Sequence, residues 1–248
     1  MKVIFNCHTE YDLNNKESFS HLPVLLNWLE LLNIPMTFSL AVGGIFRDNL
    51  LKFIKDKKIE FSKKSEIAIH FHLEKEQYQD YFNRFQKILG LHPKTMVFGK
   101  WKIDYDSLRF LSELGIEKDG SLIESDKVIR APFLIEGILE VPVVSFKGKP
   151  VNPFTQLSHF FLLRRIIKKY HTKNLICQIG FHSYDFFRFN QKPKFRLIKK
   201  IIFKNILKMI KQYNLEITTL SEMEKDNFEE LAEVKMPLLG KLFNLIGH

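Results

Sequence analysis

The feature that most constrains this 248-residue chain is the regular alternation of short apolar runs with segments of helical period. Residues 3–7 read as a buried strand, and a polar loop follows through Asn15. Over residues 17–32, Leu22, Leu25, Leu26, Leu29 and Leu32 recur at helical spacing, and Pro23 fits the first turn. Residues 36–42 form a second strand closed by Gly43 and Gly44, with a helix over 48–57. A third strand spans 66–72 and a helix 77–89; a fourth strand spans 94–98. The next helix is capped by Asp104 and runs to Leu114, where Gly115 stops it. Four strand–helix repeats in the first half argue for parallel βαβ units.

The second half is less regular. Residues 131–145 read as short strands or a hairpin around Glu136 and Gly137. A helix over 155–170 leads into a strand at 174–181, a helix at 195–213, a strand at 215–218 and a helix beginning near Ser221. Neither a repeat nor a low-complexity linker divides the chain. The expectation is one α/β domain over residues 1–232, a (β/α) barrel that is closed or incomplete, followed by an apolar tail over 233–248. A hydrophobic content of 45% with 24 Phe supplies one large aromatic-rich core, and 27% charged residues is an ordinary folded surface.

Cys7 and Cys177 lie far apart in strand-like runs, which excludes a disulfide scaffold and fits a reducing cytoplasm. Cys7 reads as a small core residue. The apolar start of the chain is interrupted at once by Asn6, His8 and Glu10, so no secretion signal is visible, and no run reaches the roughly 20 apolar residues of a membrane span. A cytoplasmic protein is expected. The 38 Lys and Arg against 28 Asp and Glu give a formal +10, which attracts nucleic acid, anionic lipid or an anionic substrate without choosing among them. A composition rich in Lys, Ile, Asn and Phe raises the charge without any function, so nucleic acid is not the expected partner.

Ionisable residues gather where the expected strands end, and in parallel α/β folds those ends form the ligand face. His8 and Glu10 follow the first strand, and His70, His72 and Glu74 the third. Lys100 and Trp101 follow the fourth, and His182 and Asp185 follow the strand ending at Phe181. If residues 70–74 stay extended, alternation sends His70, His72 and Glu74 to one side. If the chain turns helical after His70, then His70 and Glu74 meet at i, i+4. Either geometry offers nitrogen and oxygen ligands to a cation such as Zn²⁺.

Several segments resemble, in order, the polysaccharide deacetylase (NodB-like) family. They are residues 3–10 with their His-Thr-Glu, then "IPMTFSLAVGG", "SEIAIHFHLE", "FGKWKIDYDSLRFLSELGI", "EGILEVPVV" and "IGFHSYDF", which together cover roughly residues 1–190. The resemblance implies a distorted (β/α) barrel with a divalent metal, most simply Zn²⁺, at the strand ends. It places the catalytic base at His8 and the acidic ligand at Glu10. The first ligand histidine falls on His70 and the second on Glu74, with His72 as the alternative ligand; the late general acid falls on His182. Lys100, Trp101 and Arg130 are the candidate substrate contacts, with core or rim packing as the alternative for Trp101 and a solvated side chain for Lys100. The sequence departs from the family at three places. His8 stands where Asp is common, Glu74 where the second His is common, and Val97 where an Arg is common, with Arg130 as a substitute. His8 as ligand with Glu10 as base is the exchanged assignment. The implied activity is removal of an acyl group from an N-acylated sugar, nucleotide-linked or lipid-linked, in surface-polysaccharide assembly. The alternatives are a non-catalytic deacetylase-like protein that binds a carbohydrate or partner, supported by Glu74 and Val97, and a metal-dependent amidohydrolase acting on a small non-sugar amide.

Two basic helical stretches complete the reading. Lys199, Lys200, Lys204, Lys208 and Lys211 flank an apolar stripe, and Arg164, Arg165, Lys168 and Lys169 repeat the pattern earlier. They read as solvated outer faces of barrel helices or, in the sharper form, as peripheral contacts with anionic lipid at the inner membrane face. The apolar residues 236–246 pack on the barrel, pair two copies or touch a membrane.

Overall fold

A strand that is apolar on both faces belongs in the middle of a covered sheet. The first strand, β1 (Lys2–Thr9), meets that condition, with Val3, Ile4, Phe5 and Cys7 fully buried. In the computed structural model, which describes residues 1–11, 19–72, 75–99, 105–123, 129, 131–190, 192–225 and 228, β1 has neighbours on both sides. β10 (Ile176–His182) pairs along its whole length. On the other side β13 (Glu216–Thr218) pairs its first half and β2 (Met36–Val42) its second.

From β2 the sheet continues through β3 (Ser65–Phe71), β4 (Thr95–Phe98), β5 (Lys118–Asp119) and β7 (Ile138–Glu140), all parallel, and ends at β6 (Phe133–Ile135), which is antiparallel to β7. The chain beyond β7 then returns to the far edge. The Val144 N–H donates to Gln178 O on β10 at 3.0 Å, and Val143 forms a parallel bridge to Gln178. The sheet is thus curled into a distorted barrel whose last seam is a bridge and not a full strand.

The outer helices are α1 (His21–Glu30), α2 (Asn49–Asp56), α3 (Tyr78–Leu89), α4 (Tyr105–Glu113), α5 (Leu157–Tyr170) and α6 (Leu197–Gln212). No helix among the described residues is long and apolar enough to cross a membrane. The α/β barrel expected from the sequence is the fold observed.

Local chemistry explains the agreements. Gly115 ends α4 at φ 85°, where a left-handed residue closes a helix. Glu136 and Gly137, at φ 49° and 70°, form the β6–β7 turn, which needs positive φ at both central residues.

Several elements differ from expectation; the helix expected over residues 17–32 is observed as His21–Glu30. The helix expected from residue 195 starts at Leu197, because Phe195 belongs to a hairpin of β11 (Phe187–Asn190) and β12 (Lys192–Phe195). Pro193 favours extended backbone before it, and the Phe195 ring lies 4.4 Å from Phe187 and 5.5 Å from Trp28. The helix expected near Ser221 does not begin there. The Glu222 carboxylate accepts from Thr218 Oγ1 and the Thr219 N–H at 2.7 and 2.9 Å, which holds a turn. A short hairpin, β8 (Ser145–Phe146) with β9 (Lys149–Pro150), precedes α5. The 233–248 tail and the Asp104 cap lie outside the described residues.

One buried feature makes stability depend on pH. Asp119 and Glu140 face each other in the β5–β7 register, at 0% and 1% exposure, and their carboxyls interact side chain to side chain. Two carboxyls can share a hydrogen bond only if one holds the proton. Burial accordingly pushes Asp119 up to about 6, although Glu140, Ser121 and nearby backbone N–H groups oppose the rise. The folded state holds this proton more tightly than the unfolded chain. No penalty therefore exists below the ordinary carboxylate range, stability falls as pH rises toward 6, and the full penalty persists above. Asp119→Asn is expected to raise stability by about 2 kcal/mol at pH 7.5, or roughly 4–8 °C in Tm, and to give no gain near pH 4. Thermal melting at both pH values checks this; an equal shift at the two would remove the proton from the explanation.

Candidate metal centre at the strand ends

Three parallel strands deliver the imidazoles and the carboxylate. β1 ends at His8 and Thr9 with Glu10 beyond, β3 carries His70 with His72 just past its end, and β10 ends at His182. His8 and His182 are register partners across β1 and β10. Curling of the sheet brings β3 to the same point: the His8 ring lies 4.5 Å from His70 and 5.5 Å from His182, and His70 lies 4.5 Å from His72. The extended reading of residues 70–72 describes the geometry, since His70 and His72 both reach the carboxylate of Glu10.

Glu10 is the hub. Its Oε1 lies 2.8 Å from His70 Nε2 and 3.0 Å from His72 Nε2, and its Oε2 lies 4.0 Å from His182 Nε2. Ser183 Oγ fixes its backbone, accepting from the Glu10 N–H at 3.3 Å and donating to Glu10 O at 3.1 Å, while His21 Nε2 sits 2.8 Å from the same hydroxyl. Gly99 leaves room for His72, because a Cβ there would fall 2.7 Å from His72 Nδ1.

The proton count at His70 tests whether these groups suit a cation. Its Nδ1 is 2.9 Å from Val97 O and its Nε2 is 2.8 Å from Glu10 Oε1, and both partners are acceptors. A neutral imidazole has a single N–H, so it can satisfy only one of them. Both contacts are satisfied if His70 is an imidazolium, or if its Nε2 lone pair and the carboxylate share a positive ion; a neutral ring with no ion leaves one of them unmet. Burial lowers the pKa of His70 despite the favourable contacts with Glu10, which disfavours the imidazolium. Glu10 is ionised: burial would raise its pKa, but the bonds to His70 and His72 hold it well below the usual range. Two imidazole nitrogens and a carboxylate oxygen, all within 4.8 Å of one another, form a donor set of the zinc type. Donors bound at about 2.0–2.2 Å to one ion stand about 3–3.5 Å apart, close to the spacing here. The donation from His70 Nδ1 to a carbonyl would orient Nε2 toward that ion. The residues fit a divalent cation.

The two flanking histidines have opposite environments. Burial, then the neighbouring His70 and His182, hold His8 well below the ordinary histidine value, so it is neutral. Burial also pulls on His182, but the carboxylates of Asp185 and Glu10 outweigh it and the net shift is upward. Asp185 accepts from the His182 backbone N–H at 2.9 Å, lies 3.8 Å from its Nδ1, and accepts from Asn152 Nδ2 at 2.7 Å.

The structure therefore brings together His8, Glu10, His70, His72 and His182. Glu74, Lys100, Trp101 and Arg130, the other residues singled out in the sequence, lie outside the described residues. Val97, one of the three departures noted in the sequence, is fully buried and gives its carbonyl to the site. Three supporting residues had no assignment from sequence: His21, Ser183 and Asn152. Of these, only Ser183 carried a signal, its place directly after His182.

No protein-family model and no curated protein matches the chain. Solved structures do. A protein described as a polysaccharide deacetylase from Mycobacterium smegmatis superposes with a TM-score of 0.52 at 15% identity, over 90% of this chain and 94% of that one. A carbohydrate esterase family 4 pseudoenzyme from Bacillus anthracis gives 0.50 at 10% identity, over 93% of this chain and 66% of that one. A 4-α-glucanotransferase from Thermococcus litoralis gives 0.53 at 13% identity, over 90% of this chain and 38% of that one. At these identities the likeness establishes the fold: this chain has the distorted barrel seen in polysaccharide deacetylases.

Proposed function

We propose that this protein is a metal-dependent hydrolase that removes an N-acyl group from an amino sugar, with Glu10, His70 and His72 as the protein ligands of a divalent cation, most simply Zn²⁺. The observation that carries the reading is the position of Glu10 Oε1 between His70 Nε2 and His72 Nε2, the His70 ring having its other nitrogen, Nδ1, against the Val97 carbonyl. The cation, when bound, supplies a polarised amide carbonyl and a water of lowered pKa. His8, neutral and buried, is suited to take a proton from that water. His182, whose proton Asp185 and Glu10 help to retain, is suited to give one to the departing amine, a poor leaving group without it. Environments that push two titratable groups in opposite directions are the usual mark of a base and its acid. A role in surface-polysaccharide assembly on a nucleotide-linked or lipid-linked sugar is the biological setting proposed for it.

The likeness to a glucanotransferase raises glycosidic-bond chemistry as an alternative. That chemistry ordinarily uses two carboxyl groups flanking the bond. Here Glu10 is engaged by two imidazoles, and Asp185 by a backbone N–H and Asn152, which favours the hydrolase of amides. A second reading, a carbohydrate- or partner-binding protein without activity, takes its support from the pseudoenzyme neighbour and from Glu74 and Val97, where the sequence resemblance expects His and Arg.

Metal analysis of the purified protein, combined with assay of released acetate or formate from N-acylated sugars, separates these. The expected result is about one equivalent of divalent metal per chain, lost in His70→Ala together with acyl release. A His70→Ala protein that keeps its metal ends the site assignment. A metal-free wild type that binds glycan and releases no acyl group favours the second reading.

A further inference from the structure

The charge of this chain is concentrated in one stretch. Residues 151–214 hold fourteen Lys and Arg and a single acidic residue, Asp185; their net +13 exceeds the +10 of the whole chain, so the remainder is net negative. That stretch comprises α5, β10, the β11–β12 hairpin and α6. The same region exposes large apolar side chains: Leu157 at 56%, Phe161 at 51%, Leu197 at 71%, Ile198 at 54% and Ile201 at 44%.

The two kinds of residue are ordered alike on both helices. On α5 the outward positions run Leu157 and Phe161, then Arg164, Arg165 and Lys168. On α6 they run Leu197, Ile198 and Ile201, then Lys204 and Lys208. Each helix connects to strands that run parallel to β1, so the two helices point the same way and their apolar first turns lie at one end of the barrel. That end is tied to the candidate site. The Arg196 N–H donates to Phe186 O at 2.7 Å just before α6, Asn152 holds Asp185 just before α5, and Phe154 lies 4.7 Å from Phe186 between them. Asp185 and Phe186 follow His182 directly.

We propose that the first turns of α5 and α6, with the basic band behind them, form a docking face for a bilayer of anionic phospholipid. Apolar side chains that enter the acyl boundary, backed by Lys and Arg at headgroup depth, are the chemistry of an interfacial helix. A second copy of this chain is a poor occupant, because two such basic faces repel. Nucleic acid accounts for the basic band but not for five exposed apolar side chains, since its affinity comes from phosphate contacts. Docking in this orientation sets the His182 end of the barrel beside the lipid surface.

The test is co-sedimentation of the full chain with vesicles of pure phosphatidylcholine and of phosphatidylcholine with about 30% phosphatidylglycerol. The expected result is at least about tenfold stronger partition to the anionic vesicles, weakened as salt shortens the screening length. The triple substitution Leu197→Ser, Ile198→Ser and Ile201→Ser keeps every charge and removes only exposed groups. It is expected to lose about tenfold or more in partition, with Leu157→Ser and Phe161→Ser as an independent second variant. Leu31→Ser, equally apolar and 84% exposed but on the C-cap of α1, is expected to change nothing. Equal partition to both vesicles overturns the proposal. So does wild-type partition by both apolar variants, which would reduce the effect to a general attraction of a basic protein. Displacement by duplex DNA, with both variants binding DNA as the wild type does, would assign the face to nucleic acid and overturn it as well.

Discussion

Glu10→Gln is expected to release the divalent cation and to slow acyl-group hydrolysis by at least about 10³-fold. The carboxylate is the hub of the candidate centre: its Oε1 faces both His70 and His72, and its charge is held by those contacts against the cost of burial. An amide in its place offers a neutral oxygen to the cation and a competing N–H to the imidazoles. The variant should still fold, because the Glu10 backbone is fixed by Ser183 independently of the side chain. Metal content, acyl release and melting temperature measured on one preparation separate the outcomes. Loss of both metal and activity supports Glu10 as ligand. Full metal with lost activity supports the exchanged assignment, with Glu10 as the base and His8 among the ligands. Full metal and activity within tenfold of wild type removes Glu10 from the centre.

The second large effect concerns the core behind the site. Phe203 is fully buried on α6, with its ring 5.0 Å from Phe5, 5.4 Å from Trp28, 5.7 Å from Phe154 and 6.0 Å from Phe186. Phe203→Ala leaves a cavity at the point where α1, α6, β1 and the segment after β10 meet, and is expected to cost about 3–5 kcal/mol. Chemical denaturation measures this. Because Phe186 directly follows Asp185, the same change should loosen the support of His182 and lower kcat more than it raises KM. A loss under about 1 kcal/mol would mean that the aromatic cluster repacks, and would break the link drawn between core and site.

The residues of the sequence that were legible share a simple property: each lies at the end of a strongly apolar run. His8, His70, His72 and His182 could be read because a polar group that interrupts a buried strand marks the place where the strand meets solvent. Met36–Val42 was legible in full because its pattern is uniform. β5, β8 and β9 were not, since a strand of two residues has no period to detect. The β11–β12 hairpin had no assignment apart from Phe195, which was absorbed into the following helix because it falls in step with the α6 stripe; only the packing against Phe187 and Trp28 reveals its extended backbone.

The supporting shell of the candidate centre was hidden for a different reason. His21 reaches Ser183 across 162 positions of sequence, and Asn152 reaches Asp185 from the chain ahead of α5. Such contacts depend on how the helices seat against the barrel, and no local pattern encodes them. The contact of His72 with the carboxylate of Glu10, at 3.0 Å, is likewise a matter of how β1 and β3 sit together, and its sequence rival Glu74 lies outside the described residues.

The threefold pairing of β1 has a consequence for how the molecule assembles. Its flanks are filled by residues 36–42, 176–182 and 216–218, so the strand first in sequence is enclosed only by partners drawn from the whole length of the chain. Until the late partners arrive, its hydrogen-bonding edges stay open to any extended peptide nearby. Acquisition of the native state is therefore expected to depend on distant encounters, the condition under which folding slows and a half-formed barrel is exposed to aggregation.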